Sequence, residues 1–345
     1  MAPEGEETPY EIDDLPDELM INIFMFLPLG SLLECEKVCN RWKKLARDPA
    51  LWRRFVFGYS EREPHSETSA KNLEIIETHS ECIYGLKIQY VYSYPVIKSI
   101  IQKCNNLTSL ELIMCRIAKE FEDEVMRWPN LRKISMKNSL VLINNVDVMI
   151  PYDQFKYLDH LALSDFGLPA ATRDSLLRCN HLSHIFIEKI RNLDIEYVQN
   201  LINSKKEILT ALHIYGGDAV NDECLLILSQ CHLLKDLAII RCESLTDAGL
   251  IKLTDLKYLD HLQIWNNVNF TEANLRRTLS SPNLVKLRSL SLSRIGNVTP
   301  VIVDVISEYY TNLKFLAVYQ CPGIINSDYE KQLKSKFRNI DVVLY

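Results

Sequence analysis

A short apolar pattern recurs through most of this 345-residue chain and strongly limits the folds that it can adopt. Each copy has an apolar residue, two variable residues, a second apolar residue, one variable residue and a third apolar residue. Because the last two apolar positions alternate with variable ones, each copy predicts a short strand with one face in a core. Successive copies start 24 to 28 residues apart, at Ile83, Leu107, Leu131, Leu158, Leu182, Leu209, Leu234, Leu259, Leu287 and Leu313.

Signals for helix starts lie between these strands. Asn221, Thr246 and Thr271 carry side chains that cap a helix N-terminus, and apolar residues follow each of them. A strand and a helix repeated at this spacing predict an α/β horseshoe solenoid of leucine-rich repeats, with parallel strands on the concave side and helices on the convex side. We assign it to residues 81–345, about ten repeats with Ile340–Leu344 as a capping strand.

The segment Leu15–Trp52 is predicted to be helical. Its apolar residues are three, four and seven positions apart, as in amphipathic helices. Pro16 suits the start of a first helix, and Pro28 with Gly30 separates that helix from a second. So small a segment cannot bury all of this apolar surface by itself, so part of the surface must face a partner or the solenoid that follows.

The residues of this segment resemble the F-box, anchor by anchor and in the same order. The segment Arg241–Leu250 is similar to the cysteine-containing leucine-rich repeats of F-box proteins, so nearly the whole chain resembles the F-box/leucine-rich-repeat family. The resemblance implies a three-helix F-box at residues 15–57, after a disordered acidic lead-in at 1–14 and before a linker with a connecting helix at 58–80. The implied adaptor-binding anchors are Leu15, Pro16, Leu19, Ile23, Phe24, Leu27, Leu32, Val38, Cys39, Trp42, Leu51 and Trp52.

The resemblance also implies a function. The F-box would bind a Skp-type adaptor, which connects to a cullin and a RING subunit, and the chain would be the non-catalytic substrate-recognition subunit of a Skp–cullin–F-box ubiquitin ligase. Two other interpretations stay open. The chain could be a non-degradative scaffold or adaptor-sequestering protein, or the helices could simply cap the solenoid.

The repeat register predicts which side chains face the concave surface, where a target protein would bind. They are the fifth and seventh positions of each copy, with the third position, shared by His160, His184 and His261, alongside. Basic residues there are few, chiefly Lys137 and Arg294, which argues against a site for phosphorylated ligands. Aromatic residues are typical interface anchors, although they could instead pack on each other or on a C-terminal tail. The candidates are Phe186, Glu188, His213, Tyr215, His261, Trp265 and Tyr319.

The cysteines follow the same register, which indicates structural positions. We expect buried reduced thiols, and therefore a cytoplasmic or nuclear protein. Cys179, His181 and His184 lie close together but lack a fourth ligand at a recognised spacing, so no metal is expected. The register places Cys115, Cys242 and Cys321 eight residues after the first leucine and Cys104, Cys179 and Cys231 three residues before it, while Cys35 and Cys39 belong to the F-box.

Composition and missing motifs argue against other classes of protein. The net charge of −6, without a basic stripe, argues against nucleic-acid binding. No apolar run approaches the ~20 residues of a membrane span, and the acidic N-terminus lacks the features of a signal peptide. No nucleophile elbow, phosphate-binding loop or metal motif is present, so we expect neither catalysis nor a cofactor.

Overall fold

A long parallel sheet dominates the computed structural model, which describes residues 12–62, 67–141, 149–165, 167–324, 336–337 and 341–343. In this part of the chain twelve strands form the main sheet in chain order, and β4 and β6 form a separate pair. The strands are β1 Val56–Ser60, β2 Gly85–Gln89, β3 Ser109–Ile113, β4 Arg116–Ile117, β5 Lys133–Lys137, β6 Leu140–Val141, β7 His160–Ser164, β8 His184–Glu188, β9 Ala211–Tyr215, β10 Asp236–Ile240, β11 His261–Trp265, β12 Ser289–Ser293, β13 Phe315–Ala317 and β14 Asp341–Val343.

Helices precede the sheet and connect most of its strands. The first four belong to the N-terminal helical segment, and the later ones lie between successive strands. None of the described helices combines the length and apolar content needed to cross a bilayer. The helices are α1 Asp17–Phe24, α2 Leu29–Cys35, α3 Asn40–Ala46, α4 Pro49–Trp52, α5 Glu67–Thr78, α6 Tyr94–Ile101, α7 Phe121–Val125, α8 Ala170–Arg178, α9 Ile195–Lys205, α10 Asp222–Leu228, α11 Asp247–Leu250, α12 Glu272–Leu279 and α13 Pro300–Tyr309.

The recurring apolar residues form the core, as the sequence predicts. All three apolar positions of every copy are at most 5% exposed. Neighbouring strands pair without any offset, so Leu212 lies beside Leu237 and Leu237 beside Leu262. Because strand side chains alternate between faces, this common register puts all the leucines on one side of the sheet and the variable residues on the other. The predicted leucine-rich-repeat solenoid is confirmed.

In nine of the ten repeats the chain leaves the sheet through a left-handed residue at the eighth position; the exception is Gly216, with φ −102°. In several repeats the backbone N–H of this residue donates to the carbonyl that ends the next strand, and Arg241 donates in this way to Trp265 at 2.9 Å. This bond continues the sheet pairing by one residue while the positive φ turns the chain toward the convex side. The φ values lie between 49° and 62° at Tyr90, Met114, Asn138, Asp165, Lys189, Arg241, Asn266, Arg294 and Gln320.

A buried polar or thiol side chain follows this turn in several repeats. Asn267 is 1% exposed; its side-chain oxygen accepts from the Cys242 N–H at 3.0 Å, and its amide nitrogen donates to the Ile239 and Trp265 carbonyls. Burial raises the pKa of the Cys242 thiol to about 12, so the thiol is protonated at neutral pH. The registered cysteines are buried as predicted, whereas Cys39 is exposed, contrary to the expectation.

The convex side is held by caps that connect successive helices. Asn221, Thr246 and Thr271 cap their helices through side-chain acceptors, as predicted. The first helical residue also holds the next cap: Asp222 accepts from the Thr246 N–H at 2.8 Å, and Asp247 accepts from the Thr271 N–H at 2.9 Å. Each cap therefore stabilises its own helix and fixes the spacing to its neighbour.

Both ends of the solenoid differ from the domain boundaries that the sequence predicts. The predicted linker is wrong at its start, because Val56–Ser60 forms β1 and pairs residue for residue with β2. Ile12–Asp14, assigned to the lead-in, forms a short 3-10 turn; the rest of the lead-in lies outside the described residues. The capping strand β14 pairs with β13 as its outer neighbour, while Ile340 and Leu344 lie outside the described residues.

The buried amide of Asn267 supports a stability prediction. Asn267→Ala removes the partners of the Cys242 N–H and the Ile239 carbonyl, and an unsatisfied buried group costs about 1–3 kcal/mol. We expect the free energy of unfolding in urea to fall by about 2 kcal/mol. Asn312→Ala, at an exposed position, is the control and should change it by less than about 0.5 kcal/mol. Equal effects of the two substitutions would contradict this role.

Candidate interaction surfaces

The first helix of the N-terminal segment has two apolar faces. Met20 and Phe24 pack inward and are at most 1% exposed. On the adjacent face Leu19 is 48% exposed, Ile23 42%, and Phe26, just past the helix end, 89%. Burying a side chain of this size is worth about 1.5–3 kcal/mol, so this face favours association with another surface. We call Leu19, Ile23 and Phe26, with Val38 and Trp42, the F-box face.

Polar contacts fix α3 against the start of α1 and so complete the F-box face. Arg41 pairs with Asp17 at 2.8 Å, and the Trp42 indole N–H donates to Asp13 at 2.9 Å. The half-buried Trp42 ring meets the Phe24 ring edge to face, with centroids 5.2 Å apart. The face is thus held in place by ion pairs and ring packing.

The structure divides the predicted adaptor anchors into three groups. Pro16, Leu19, Ile23, Val38 and Cys39 are exposed and available to a partner. The half-buried anchors are Leu15, Leu27 and Trp42. The buried anchors, at most 1% exposed, are Phe24, Leu32, Leu51 and Trp52.

The four buried anchors require a correction, because a side chain inside the core cannot touch a partner without rearrangement. They support the F-box face from behind instead. Phe26 is not among the anchors predicted from the sequence, although it is the most exposed apolar residue of the segment. Its position seven residues after Leu19, two helical turns along the same face, is the signal that could have identified it.

A partly buried cluster of charged and polar side chains joins the helical segment to the first repeat. The Glu36 side chain is 9% exposed and lies 2.9 Å from Arg47 and 3.1 Å from His79, the residue that follows α5. Arg47 also pairs with Glu81 at 3.0 Å, and the His79 ring stacks on Trp52 with centroids 5.2 Å apart. These contacts and the stacked rings of His79 and Trp52 connect the helical segment to the first repeat.

Two of the three aligned histidines, His160 and His184, stack where their strands begin on the concave surface. The rings of His160 and His184 are 3.8 Å apart and nearly parallel, as expected for the same position of adjacent strands. Burial and the neighbouring His160 ring lower the pKa of His184 below its ordinary 6.5, although Asp159 and Asp236 act in the opposite direction. His261 does not join them, because β9 and β10 lie between and carry Ala211 and Asp236 at this position.

A small hollow of about 130 Å³ lies at the middle of the concave surface. Phe186, Glu188, His213 and Tyr215 line it together with Lys137, so four of the predicted target contacts meet there. The Phe186 and His213 rings pack edge to face with centroids 4.3 Å apart, and His213 lies 2.9 Å from Asp236. Part of the aromatic surface predicted to contact a target therefore packs against its own neighbours.

A larger hollow of about 690 Å³ lies beside it, over β9 to β14. Tyr215, Trp265 and Tyr319, three of the predicted contacts, form its walls. His261 is at the other end of its strand and lines neither hollow, so its place among the target contacts is not supported. Arg241 lines the larger hollow but is not among the predicted contacts, although Arg294, at the same eighth position, is predicted to face this surface.

Within the described residues, no group of three or more histidine, cysteine, aspartate or glutamate side chains has an arrangement that could hold a metal ion. Cys179 is buried, and burial raises its pKa, so the thiol next to His181 and His184 is protonated at neutral pH. The predicted contact residues that the structure brings together lie on the F-box face and at the concave hollows.

The stacked histidines support a pH prediction. Because the folded-state pKa of His184 is below 6.5, the unfolded chain takes up this proton first as the pH falls, and the free energy of unfolding decreases. Between about pH 7.5 and 5.5 we expect urea unfolding to show a larger loss in the wild type than in His184→Gln. His261→Gln, at the same repeat position but without a stacked ring, should behave like the wild type. An identical pH profile for wild type and His184→Gln would contradict the prediction.

Comparisons with known proteins match both parts of the chain. The F-box-like family model matches residues 12–58. F-box DNA helicase 1 of Gallus gallus is 33% identical over 96 residues, 26% of this chain and 9% of that protein. F-box protein SKIP19 of Arabidopsis thaliana is 23% identical over 228 residues, 55% of this chain and 72% of that protein. F-box/LRR-repeat protein 12 of Bos taurus is 45% identical over 40 residues, 12% of either chain.

The chain thus spans less than two thirds of the length of F-box DNA helicase 1 and of F-box/LRR-repeat protein 12. Among solved structures, a chain of the yeast Rad7 and Elc1 complex is similar with a TM-score of 0.49 and 15% identity, over 92% of this chain and 93% of that chain. The F-box-like match covers the helical segment, and ten leucine-rich repeats follow it in the described sheet. The helical segment is thus similar to the F-box and is followed by a leucine-rich-repeat solenoid, the combination that the F-box/LRR-repeat relative names.

Proposed function

We propose that this chain is the substrate-recognition subunit of a Skp–cullin–F-box ubiquitin ligase. The F-box binds a Skp-type adaptor, the adaptor connects to the cullin and RING subunits, and the concave surface of the repeats binds a target protein. The chain itself takes no part in catalysis. The observation that carries the proposal is the exposed F-box face within the segment that matches the F-box-like model.

The F-box face has the composition expected of a protein interface. Its apolar residues are exposed together, whereas apolar side chains of this size are usually buried in a monomer. Large apolar and aromatic residues at such a surface contribute most of the free energy of binding. We assign the adaptor contact to Leu19, Ile23, Phe26 and Val38, with Pro16, Cys39 and the edges of Leu15, Leu27 and Trp42 around them.

The junction between F-box and repeats supports a receptor role. A receptor accelerates ubiquitin transfer by keeping the target close to the charged enzyme, and a fixed orientation raises this effective concentration. The Glu36–Arg47–His79 cluster provides such a fixed connection. The buried, unpaired thiols of the repeats suit a reducing compartment, so we propose a cytoplasmic or nuclear location.

The F-box face yields a direct test with the intact chain. Ile23→Ala combined with Phe26→Ala removes two exposed side chains and leaves the buried core unchanged. Because interface anchors are worth about 1–2 kcal/mol each, we expect adaptor binding to weaken by roughly 100-fold. The measurement is affinity capture from cell lysate, with adaptor and cullin quantified by mass spectrometry, and calorimetry with purified adaptor.

The matched control is Tyr258→Ala combined with Val301→Ala, two exposed apolar residues of the repeats. It should bind the adaptor like the wild type, and both variants should melt like the wild type. Failure of the wild type to bind the adaptor would reject the proposal. Adaptor binding without any recovered cullin would favour the non-degradative scaffold instead.

A further inference from the structure

We propose that the larger concave hollow binds an acidic peptide segment of the target, with an apolar side chain in the hollow and carboxylates on Arg241 and Arg294. The proposal rests on the receptor function above and specifies the chemistry of the target. It concerns a surface separate from the F-box face, so each can be tested without the other.

The hollow results from a change in side-chain size along the concave face. Tyr215 and Trp265 stand on β9 and β11, whereas β12 presents the small residues Ser291 and Ser293, both at most 2% exposed. The Trp265 indole N–H donates to Ser291 at 2.7 Å. This bond satisfies the polar edge of the indole and leaves the ring, which is 40% exposed, as an apolar wall. The floor of the hollow is formed by small serine side chains and its walls by aromatic rings, so an apolar side chain fits between the walls.

Two arginines stand at the rim where the strands end. Arg241 lies over the Tyr215 ring, 5.6 Å from its centroid, and Arg294 lies over the Tyr319 ring at 5.9 Å. Arg241 also donates to the Tyr215 hydroxyl, and Arg294 donates to the Gln320 side-chain oxygen at 2.7 Å. These neutral contacts orient both guanidinium groups without neutralising them.

Neither guanidinium has a carboxylate oxygen within 4.0 Å among the described residues, whereas many other arginines of the chain do. Glu243 acts on Arg241 only from a greater distance. In a protein whose net charge is −6, two unneutralised cations beside an apolar hollow form a local positive site. Charge complementarity therefore selects an anionic partner.

The spacing of the arginines defines the partner further. They occupy the same repeat position two strands apart, which corresponds to about 10 Å between their backbones. An extended peptide advances about 3.3 Å per residue and its alternate side chains share a face, so carboxylates four residues apart lie on one face about 13 Å apart. The long glutamate and arginine side chains cover the remaining difference, and an apolar side chain midway between the carboxylates lies on the same face, over the Trp265 wall. The occupant is an extended segment with this acidic and apolar pattern.

Defined peptide pools test the proposal. One pool of fluorescein-labelled octapeptide amides carries glutamate at the third and seventh positions and random residues elsewhere; the second pool carries glutamine at those positions. We expect the full-length protein to retain the glutamate pool at least about tenfold better, with apolar residues enriched between the glutamates. Arg241→Gln combined with Arg294→Gln should remove this preference, and Trp265→Ala should remove the apolar enrichment.

Lys189→Gln is the matched control, since Lys189 occupies the same left-handed repeat position outside the hollow. It should retain the glutamate pool like the wild type. Equal retention of the two pools, or unchanged retention by the double arginine variant, would overturn the proposal. The arginine variant should still bind the adaptor. Loss of peptide binding with normal adaptor binding would therefore be due to a change in the hollow alone. Failure of the wild type to bind the adaptor would count against the receptor function and not against the peptide site.

Discussion

The rest of the structure depends on the common register of the parallel strands. Each repeat buries its leucines only against the repeats beside it, so every strand must pair with its neighbour without an offset. The pairing of Leu237 with Leu212 on one side and Leu262 on the other is one instance. A shift by one residue would turn the leucines to the concave face and bury the variable residues. The same register therefore creates the core and displays the aromatic residues that form the hollows.

The F-box adds a second, independent constraint. Its inner face packs through Phe24, Leu32 and Trp52, and its outer face remains exposed. Because the Glu36 cluster ties the helices to the first repeat and β1 extends the sheet, the F-box face and the concave surface belong to one framework. A molecule with two separate interaction surfaces on one framework can hold two partners at a fixed distance from each other, which is the physical requirement of a receptor subunit.

Much of this arrangement could be predicted from the sequence, and the failures have physical causes. The repeat register followed from the recurrence of apolar residues at the first, fourth and sixth positions of every copy, whereas the positions on the concave face differ from copy to copy. The eighth position lies beyond the alternating strand, and of its two arginines at the larger hollow only Arg294 was predicted to face the concave surface. The order of F-box anchors could not separate core from surface, and Leu51 was assigned to an interface although it is buried. Strand β1 was missed because it lacks the repeat pattern and its pairing depends on β2.

Hydrogen–deuterium exchange of the full-length chain, with and without purified Skp-type adaptor, tests the central claim most directly. Amides in or next to an interface exchange more slowly in the complex. The proposed arrangement predicts slower exchange in α1, in residues 25–27 and at the start of α3, with unchanged exchange in β9 to β13. Unchanged exchange in the F-box under saturating adaptor, or slower exchange confined to the concave strands, would contradict the claim that the F-box face binds the adaptor and leaves the repeat surface free.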